Sequence, residues 1–293
     1  MTEVTESNDA TPADAPRGAS RTARAVAVLR AAHRVIDARP ALLDDTVIAR
    51  LIGGDLEAQI RARVEEFQTP IARGLRSHVL LRSRFAEDSL EDAVSHGVGQ
   101  YVLLGAGLDT FAYRQPAWAS GLTIVEVDHP ASQAAKCAAL AAAGIEVPAN
   151  VRFASVDFER ETLMDGLARG GIDPATKTFF SWLGVTMYLT RDAIEQTLRA
   201  VLAFPSGSEI VFTFAQPSSD PAFPTQQLAA GAASVGEPWV SYFVPDELEA
   251  MLRSLGFTRV RLLTRDEATR RYYASRSDGL AAPQRVSIVS ATV

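Results

Sequence analysis

YVLLGAGLDTFAYR (Tyr101–Arg114), followed by LTIVEVDHP (Leu122–Pro130), decides how this chain folds. Tyr101–Gly105 is a short, continuous apolar run, as expected of a strand covered on both faces. Gly105 and Gly107 let the backbone turn sharply and let a ligand approach it closely. A helix is expected over Thr110–Trp118, a second strand over Leu122–Asp128 and an Ala-rich helix over Ser132–Ala143. Strand, glycine turn, helix, strand is the opening unit of a parallel sheet with helices on both faces.

The alternation continues downstream. Strands are expected at Val151–Ser155, Thr178–Leu183, Glu209–Phe214, Thr258–Leu263 and Arg285–Thr292. Helices are expected at Thr162–Ala168, Asp192–Ala203, Pro245–Leu255 and Arg265–Ala274. Between the fifth strand and the Pro245 helix, residues 216–240 hold Pro217, Pro221, Pro224 and Pro238 with several glycines, and form an insertion. The expected doubly wound α/β domain therefore covers 98–293.

Upstream the pattern is helical. Val26, Leu29, Val35 and Ile36 recur at helix spacing until Pro40. Asp45 starts a second helix that Gly53-Gly54 ends, Ile60, Val64 and Phe67 mark a third, and Ile71–Phe85 and Ser89–His96 mark further ones. Residues 21–97 are an expected helical cap. Residues 1–20 are polar, lack large apolar side chains, and are an expected disordered tail without the features of a signal peptide.

Composition narrows the function classes. There are 29 Lys and Arg against 35 Asp and Glu, a net charge of −6. No global field draws in nucleic acid or an anionic membrane, so neither is an expected partner. No apolar run approaches the roughly 20 residues that span a bilayer. The one cysteine, Cys137, cannot pair within the chain, which fits a cytoplasmic setting.

The candidate chemistry follows the strand ends. The glycine turn lacks both a third glycine, since Thr110 stands there, and a Walker lysine. It fits a nucleoside ligand held without a phosphate cradle, or an ordinary tight turn. Asp128, ending the second strand some 20 residues on, suits both ribose hydroxyls or a helix cap before Pro130. Asp157, after the third strand, suits an adenine amino group or a cap, and Phe158 beside it can pack on the ring. Together these acids and the glycine turn point to adenosine, and the missing glycine favours S-adenosylmethionine over NAD.

The two quoted blocks resemble the leucine carboxyl methyltransferase family. They look most like its bacterial branch of S-adenosylmethionine-dependent, polyketide carboxyl-type O-methyltransferases. SRTARAVAVLRA (Ser20–Ala31), LLDDTVIARLIG (Leu42–Gly53), RSRF (Arg82–Phe85), SWLGVTMYLT (Ser181–Thr190) and YYASRSDGL (Tyr272–Leu280) are similar to its other landmarks. The resemblance implies a class I methyltransferase (Rossmann-like) fold, with a seven-stranded sheet whose last strand is antiparallel. It implies that Gly105, Ala106 and Gly107 lie against the methionyl part of the cofactor, that Asp128 holds ribose, and that Asp157 and Phe158 hold adenine. It also implies that Arg84 pairs with the cofactor carboxylate, as suits a guanidinium. One departure is informative: eukaryotic members carry an acid where Leu183 precedes Gly184 here, which makes a protein phosphatase a poor substrate guess.

Other residues carry two readings each. Tyr188 either faces a methyl acceptor as a catalytic hydrogen-bond donor or packs as an aromatic. Arg271, Tyr272 and Arg276 either wall an anion site or are solvated charges. His33, His78, His96 and His129 lack metal-ligand spacing, and Asp44-Asp45 read better as a helix cap than as metal ligands. No GxSxG or HExxH motif occurs. The expected reaction is O-methylation of a carboxylate, or a hydroxyl, on a small molecule or a peptide terminus. A carboxylate is ionised at neutral pH and needs no general base. An NAD-dependent oxidoreductase and a non-catalytic S-adenosylmethionine-binding protein are the alternatives.

Overall fold

The central strands do not alternate between apolar and polar side chains, because both of their faces are buried. In β1 (Gln100–Leu104), Tyr101 and Leu103 face one side and Val102 and Leu104 the other, and all four are buried. The computed structural model describes residues 20–157, 161–218 and 225–293. Its sheet comprises β1, β2 (Thr123–Asp128), β3 (Val151–Ser155), β4 (Thr178–Trp182), β5 (Glu209–Thr213), β6 (Arg259–Leu262) and β7 (Ile288–Thr292). The strand order is β3-β2-β1-β4-β5-β7-β6. The first five strands are mutually parallel, and β7 is antiparallel to both neighbours. This is the sheet of a class I S-adenosylmethionine methyltransferase, with the antiparallel last strand that the family resemblance implied. The order reverses between β1 and β4, which opens a ligand crevice beyond their carboxyl ends.

The helices before the sheet are α1 (Arg21–Ile36), α2 (Ile48–Ile52), α3 (Leu56–Ala62), α4 (Val64–Gln68) and α5 (Pro70–Ser95). Those after β2 are α6 (Pro130–Ala142), α7 (Leu163–Arg169), α8 (Arg191–Val201), α9 (Thr225–Ser234), α10 (Pro245–Leu255) and α11 (Arg265–Ala268). Leu80, Phe85 and Leu90 of α5 pack with Tyr101, Leu103, Phe179 and Val211 on one face of the sheet. Leu163, Leu198 and Leu248 of α7, α8 and α10 cover Val102, Leu104, Phe180 and Trp182 on the other. A third cluster joins Ala27 and Ala31 of α1 to Ile48, Ile60 and Leu140. No helix among the described residues is long and apolar enough to cross a membrane.

Five local expectations are refined; the helix marked by Ile60, Val64 and Phe67 is two, α3 and α4, broken at Arg63. Ile71–Phe85 and Ser89–His96 are one 26-residue helix. Phe85, Ala86, Leu90 and Ala93 keep a single buried face across the Glu87-Asp88 pair. The helix expected at Thr110–Trp118 is two short 3-10 turns, Phe111–Tyr113 and Ala117–Ala119. Pro116 separates them, and the Thr110 and Arg114 side chains hydrogen-bond to each other within a polar network. The insertion contains α9, which its proline-rich flanks obscure. Arg265–Ala274 divides into α11 and a π-helical turn, Thr269–Tyr273.

Candidate active site

The glycine turn sits where β1 meets β4 at the open end of the sheet. Gly105 and Gly107 have φ of +64° and +47°, the left-handed region that favours glycine. A Cβ on Gly105 would overlap the Val185 side chain, so the β1 and β4 loops touch there. A Cβ on Gly107 would lie 3.6 Å from that of Ala23, so the start of α1 covers the turn. The Ala106 N–H donates to the Val127 carbonyl at 3.0 Å, locking the turn to the neighbouring strand.

Asp128 ends β2 beside this turn. Its Oδ2 accepts the Gly107 N–H at 2.5 Å, and its Oδ1 accepts the His129 N–H at 2.7 Å. Each oxygen keeps a lone pair for a further donor. Burial pushes the Asp128 carboxyl above its ordinary pKa, against the pull of those two N–H groups. The cap of α6 falls to His129, whose Nδ1 accepts the Ala131 N–H at 3.3 Å. Asp128 is thus a turn-binding carboxylate rather than the helix cap. Asp157 begins the loop after β3, next to the end of β2, and its N–H donates to Glu161 at 3.2 Å. Phe158 lies outside the described residues.

On the β4 side, Gly184 has φ of +80°, and a Cβ there would stand 2.5 Å from Nη1 of Arg82. The guanidinium of Arg82 therefore lies close against the β4 loop. Its Nε is buried without a hydrogen-bond partner, and no carboxylate pairs with it among the described residues. Burial and the neighbouring Arg30 charge pull Arg82 down to about 10. One turn earlier on α5, burial and the Arg82 charge push His78 down to about 3, so its imidazole is neutral. Tyr188 closes the 3-10 turn Thr186–Tyr188, is half-buried, and acts electrostatically on Arg82. The end of the insertion is laid along the same turn: the N–H groups of Val240 and Ser241 both donate to the Met187 carbonyl.

The structure brings Gly105, Ala106, Gly107, Asp128, Asp157 and Tyr188 to this crevice from separate strand ends. It does not bring Arg84. Two residues along a helix is roughly 200° of rotation. Arg84 accordingly lies on the other side of α5 from Arg82, half-exposed and paired with Asp88 at 2.6 Å. The RSRF segment does supply a crevice arginine, but it is Arg82.

Sequence reasoning also missed a buried network behind the turn. Arg30 of α1 pairs with Asp45 at 2.6 Å, and the Thr110 hydroxyl donates to Asp45 at 2.8 Å. Thr110 Oγ1 accepts from Arg30 and Arg114, each at 3.0 Å, and Arg114 forms a two-pronged ion pair with Glu87 of α5. Asp45 is also the cap that its position suggested, because its Oδ1 accepts the Val47 and Ile48 N–H groups. The one signal in the sequence was the DD pair itself. Its partners are remote in the chain.

The chain is similar to known proteins. The profile of the leucine carboxyl methyltransferase family matches residues 23–202. The Bacillus subtilis protein named "Putative S-adenosyl-L-methionine-dependent methyltransferase YktD" is 33% identical over 251 residues, covering 83% of this chain and 79% of its own. A similarly named Mycobacterium tuberculosis protein, Rv0830, is 32% identical over 202 residues, covering 65% of each chain. Two crystal structures share the fold. A DUF574 family protein from Streptomyces avermitilis gives a TM-score of 0.55 at 14% identity, covering 90% of this chain and 95% of its own. A Thermobifida fusca protein described as a "putative methyltransferase" gives 0.54 at 18% identity, covering 83% and 91%.

Proposed function

The chain belongs to the leucine carboxyl methyltransferase family and is an S-adenosylmethionine-dependent methyltransferase; from that premise we propose that it methylates a carboxylate oxygen of a small molecule or a peptide terminus. The cofactor supplies an electrophilic methyl group on a sulfonium. The residues of the crevice fit it. Gly105, Ala106 and Gly107 expose backbone to its methionyl chain, and Asp128 accepts from the ribose hydroxyls. Asp157 accepts from the adenine amino group. Arg82, not Arg84, pairs with the cofactor carboxylate, because it is a half-buried cation with a fully buried Nε and lacks a counter-ion among the described residues. The protein's part is to align the acceptor in line and exclude water.

The observation that carries carboxyl methylation is the lack of a competent base among the described residues of the crevice. His78 is held down to about 3, and the ring nitrogen of His129 is used by α6. Asp109, held below the ordinary carboxylate range despite its burial, is tied to Arg30 at 3.4 Å. With Asp128 and Asp157 committed to the cofactor, a hydroxyl acceptor would find no free base among these groups, whereas a carboxylate needs none. The N-terminal helices and the described part of the insertion, from α9 to Val240, form the acceptor pocket and its lid, joined where Glu237 accepts from the Ser20 hydroxyl and the Arg21 N–H. Tyr188, on the turn gripped by the insertion, orients the acceptor by hydrogen bonding.

Methyl-labelled cofactor incubated with an extract of small acidic metabolites tests this. Label transferred to a product and released as volatile methanol by dilute alkali is the expected ester. Alkali-stable label would mean an ether or amine and would overturn the carboxylate assignment.

A further inference from the structure

Arg84 opens on a cavity of about 340 Å³ that the methyl-transfer crevice does not use. That volume is in the range that holds small organic ligands. Three stretches wall it: residues 38–42, the outer side of α5, and residues 271–277. Arg39, Arg84, Arg271 and Arg276 line it, with Asp88 as the one lining carboxylate and Tyr272 as the one lining ring among the described residues.

The charges around it do not balance. Asp88 serves Arg84 at 2.6 Å and Arg271 at 3.5 Å, and also accepts the Tyr272 hydroxyl at 2.9 Å. Arg271 reaches Glu267 at 3.3 Å, but Glu267 already holds Arg261 at 2.9 Å. Arg39 shares Asp44 with Arg34. Arg276 alone has its own carboxylate, Asp278, and it ties the walls together by donating to the Ala38 and Pro40 carbonyls at 3.1 and 3.0 Å. Six guanidiniums therefore share four carboxylates. The surplus of two positive charges sits in a chain whose net charge is −6.

The surplus lies where a ligand can reach it. The side chains of Arg39, Arg84 and Arg271 are 54%, 44% and 38% exposed, and each guanidinium has more donors than its present partners use. Arg271 also stacks on Tyr272, 5.0 Å from the ring centre, which holds its plane in place. A dianion matches a surplus of two charges. A tetrahedral group with three equivalent oxygens suits guanidiniums arriving from three separate segments better than a planar carboxylate does.

We propose that this cavity is a binding site for a small organic phosphate, separate from the S-adenosylmethionine crevice, with Arg39, Arg84 and Arg271 as its phosphate ligands. The ligand's phosphate takes over donors that now crowd onto Asp88, and Arg276 keeps the pocket's backbone walls in register.

Inorganic pyrophosphate is a suitable bare probe, titrated calorimetrically at constant ionic strength with chloride as the control. Saturable one-to-one binding to the full chain is expected. So is at least tenfold weakening in Arg84→Gln and in Arg271→Gln, with S-adenosylhomocysteine affinity changed less than twofold in both. Arg39→Gln gives a third, independent check at a well-exposed position. Absence of saturable binding, or equal pyrophosphate affinity in the variants, would overturn the site. Malonate binding as tightly as pyrophosphate would overturn the phosphate assignment. A large loss of S-adenosylhomocysteine affinity in Arg84→Gln would return that arginine to the cofactor crevice.

Discussion

Two sets of charged side chains flank the Leu104–Thr110 turn, and they are treated oppositely. Behind the turn, the guanidiniums of Arg30 and Arg114 meet the carboxylates of Asp45 and Glu87, with Thr110 linking both sides. In front of it, Arg82 is half-buried against Gly184, its Nε shut off from solvent, with no carboxylate of its own among the described residues. A buried charge with a partner fastens structure, and α1, the 42–46 segment, the turn and α5 are fastened here. A buried charge without one is costly in the free protein and is compensated only when a ligand brings the opposite charge. The contrast separates framework from binding site.

Breaking the framework side gives the largest expected effect. Asp45→Ala strands Arg30 in the interior and removes the acceptor for Thr110 and the α2 cap. Such losses cost about 3–5 kcal/mol, measured as a fall in the denaturant midpoint at an unchanged slope. A smaller loss than Thr190→Ala, a simple cap of α8, would show that the network is not holding the turn.

The binding side should behave in reverse. Arg82→Met removes an unpartnered, half-buried charge, so thermal stability without ligand is expected to stay level or rise. Affinity for S-adenosylhomocysteine is expected to fall by about 100-fold, the equivalent of roughly 2–3 kcal/mol for a charge-assisted pair. Lower stability with unchanged affinity would place Arg82 in the framework.

His78 sharpens the same contrast more gently. Its folded pKa is depressed to about 3 from 6.5, so the unfolded chain binds a proton that the folded one refuses. Its contribution is fully present above pH 6.5 and is lost as pH falls toward 3. The expected slope is about 1.4 kcal/mol per pH unit below roughly pH 6.5. His78→Gln should remove that slope from a series of unfolding curves between about pH 6.5 and 5. An unchanged slope would show that His78 is free to protonate.

Much of this was legible in the sequence for a physical reason. Doubly buried strands must be short and apolar, and the turn needs glycine where φ is positive, so β1, the turn and Asp128 announce themselves locally. What stayed hidden depends on remote contacts. RSRF carries two arginines, and only the rotational phase of α5 against β4 decides that Arg82 enters the crevice. Asp45 reads as a cap and is one, but its ion pair with Arg30 forms across a tertiary interface. The Thr110–Trp118 stretch reads as a helix, yet Thr110 and Arg114 are drawn into that network and Pro116 interrupts the run.

The central claim is that the crevice between the β1 and β4 loops binds the cofactor through Asp128. Calorimetric titration of S-adenosylhomocysteine into the parent chain and Asp128→Asn tests it most directly. The predicted result is one-to-one binding in the parent, weakened at least tenfold in the variant, with both proteins unfolding cooperatively. No binding in the parent, or equal affinity in the two, would contradict it.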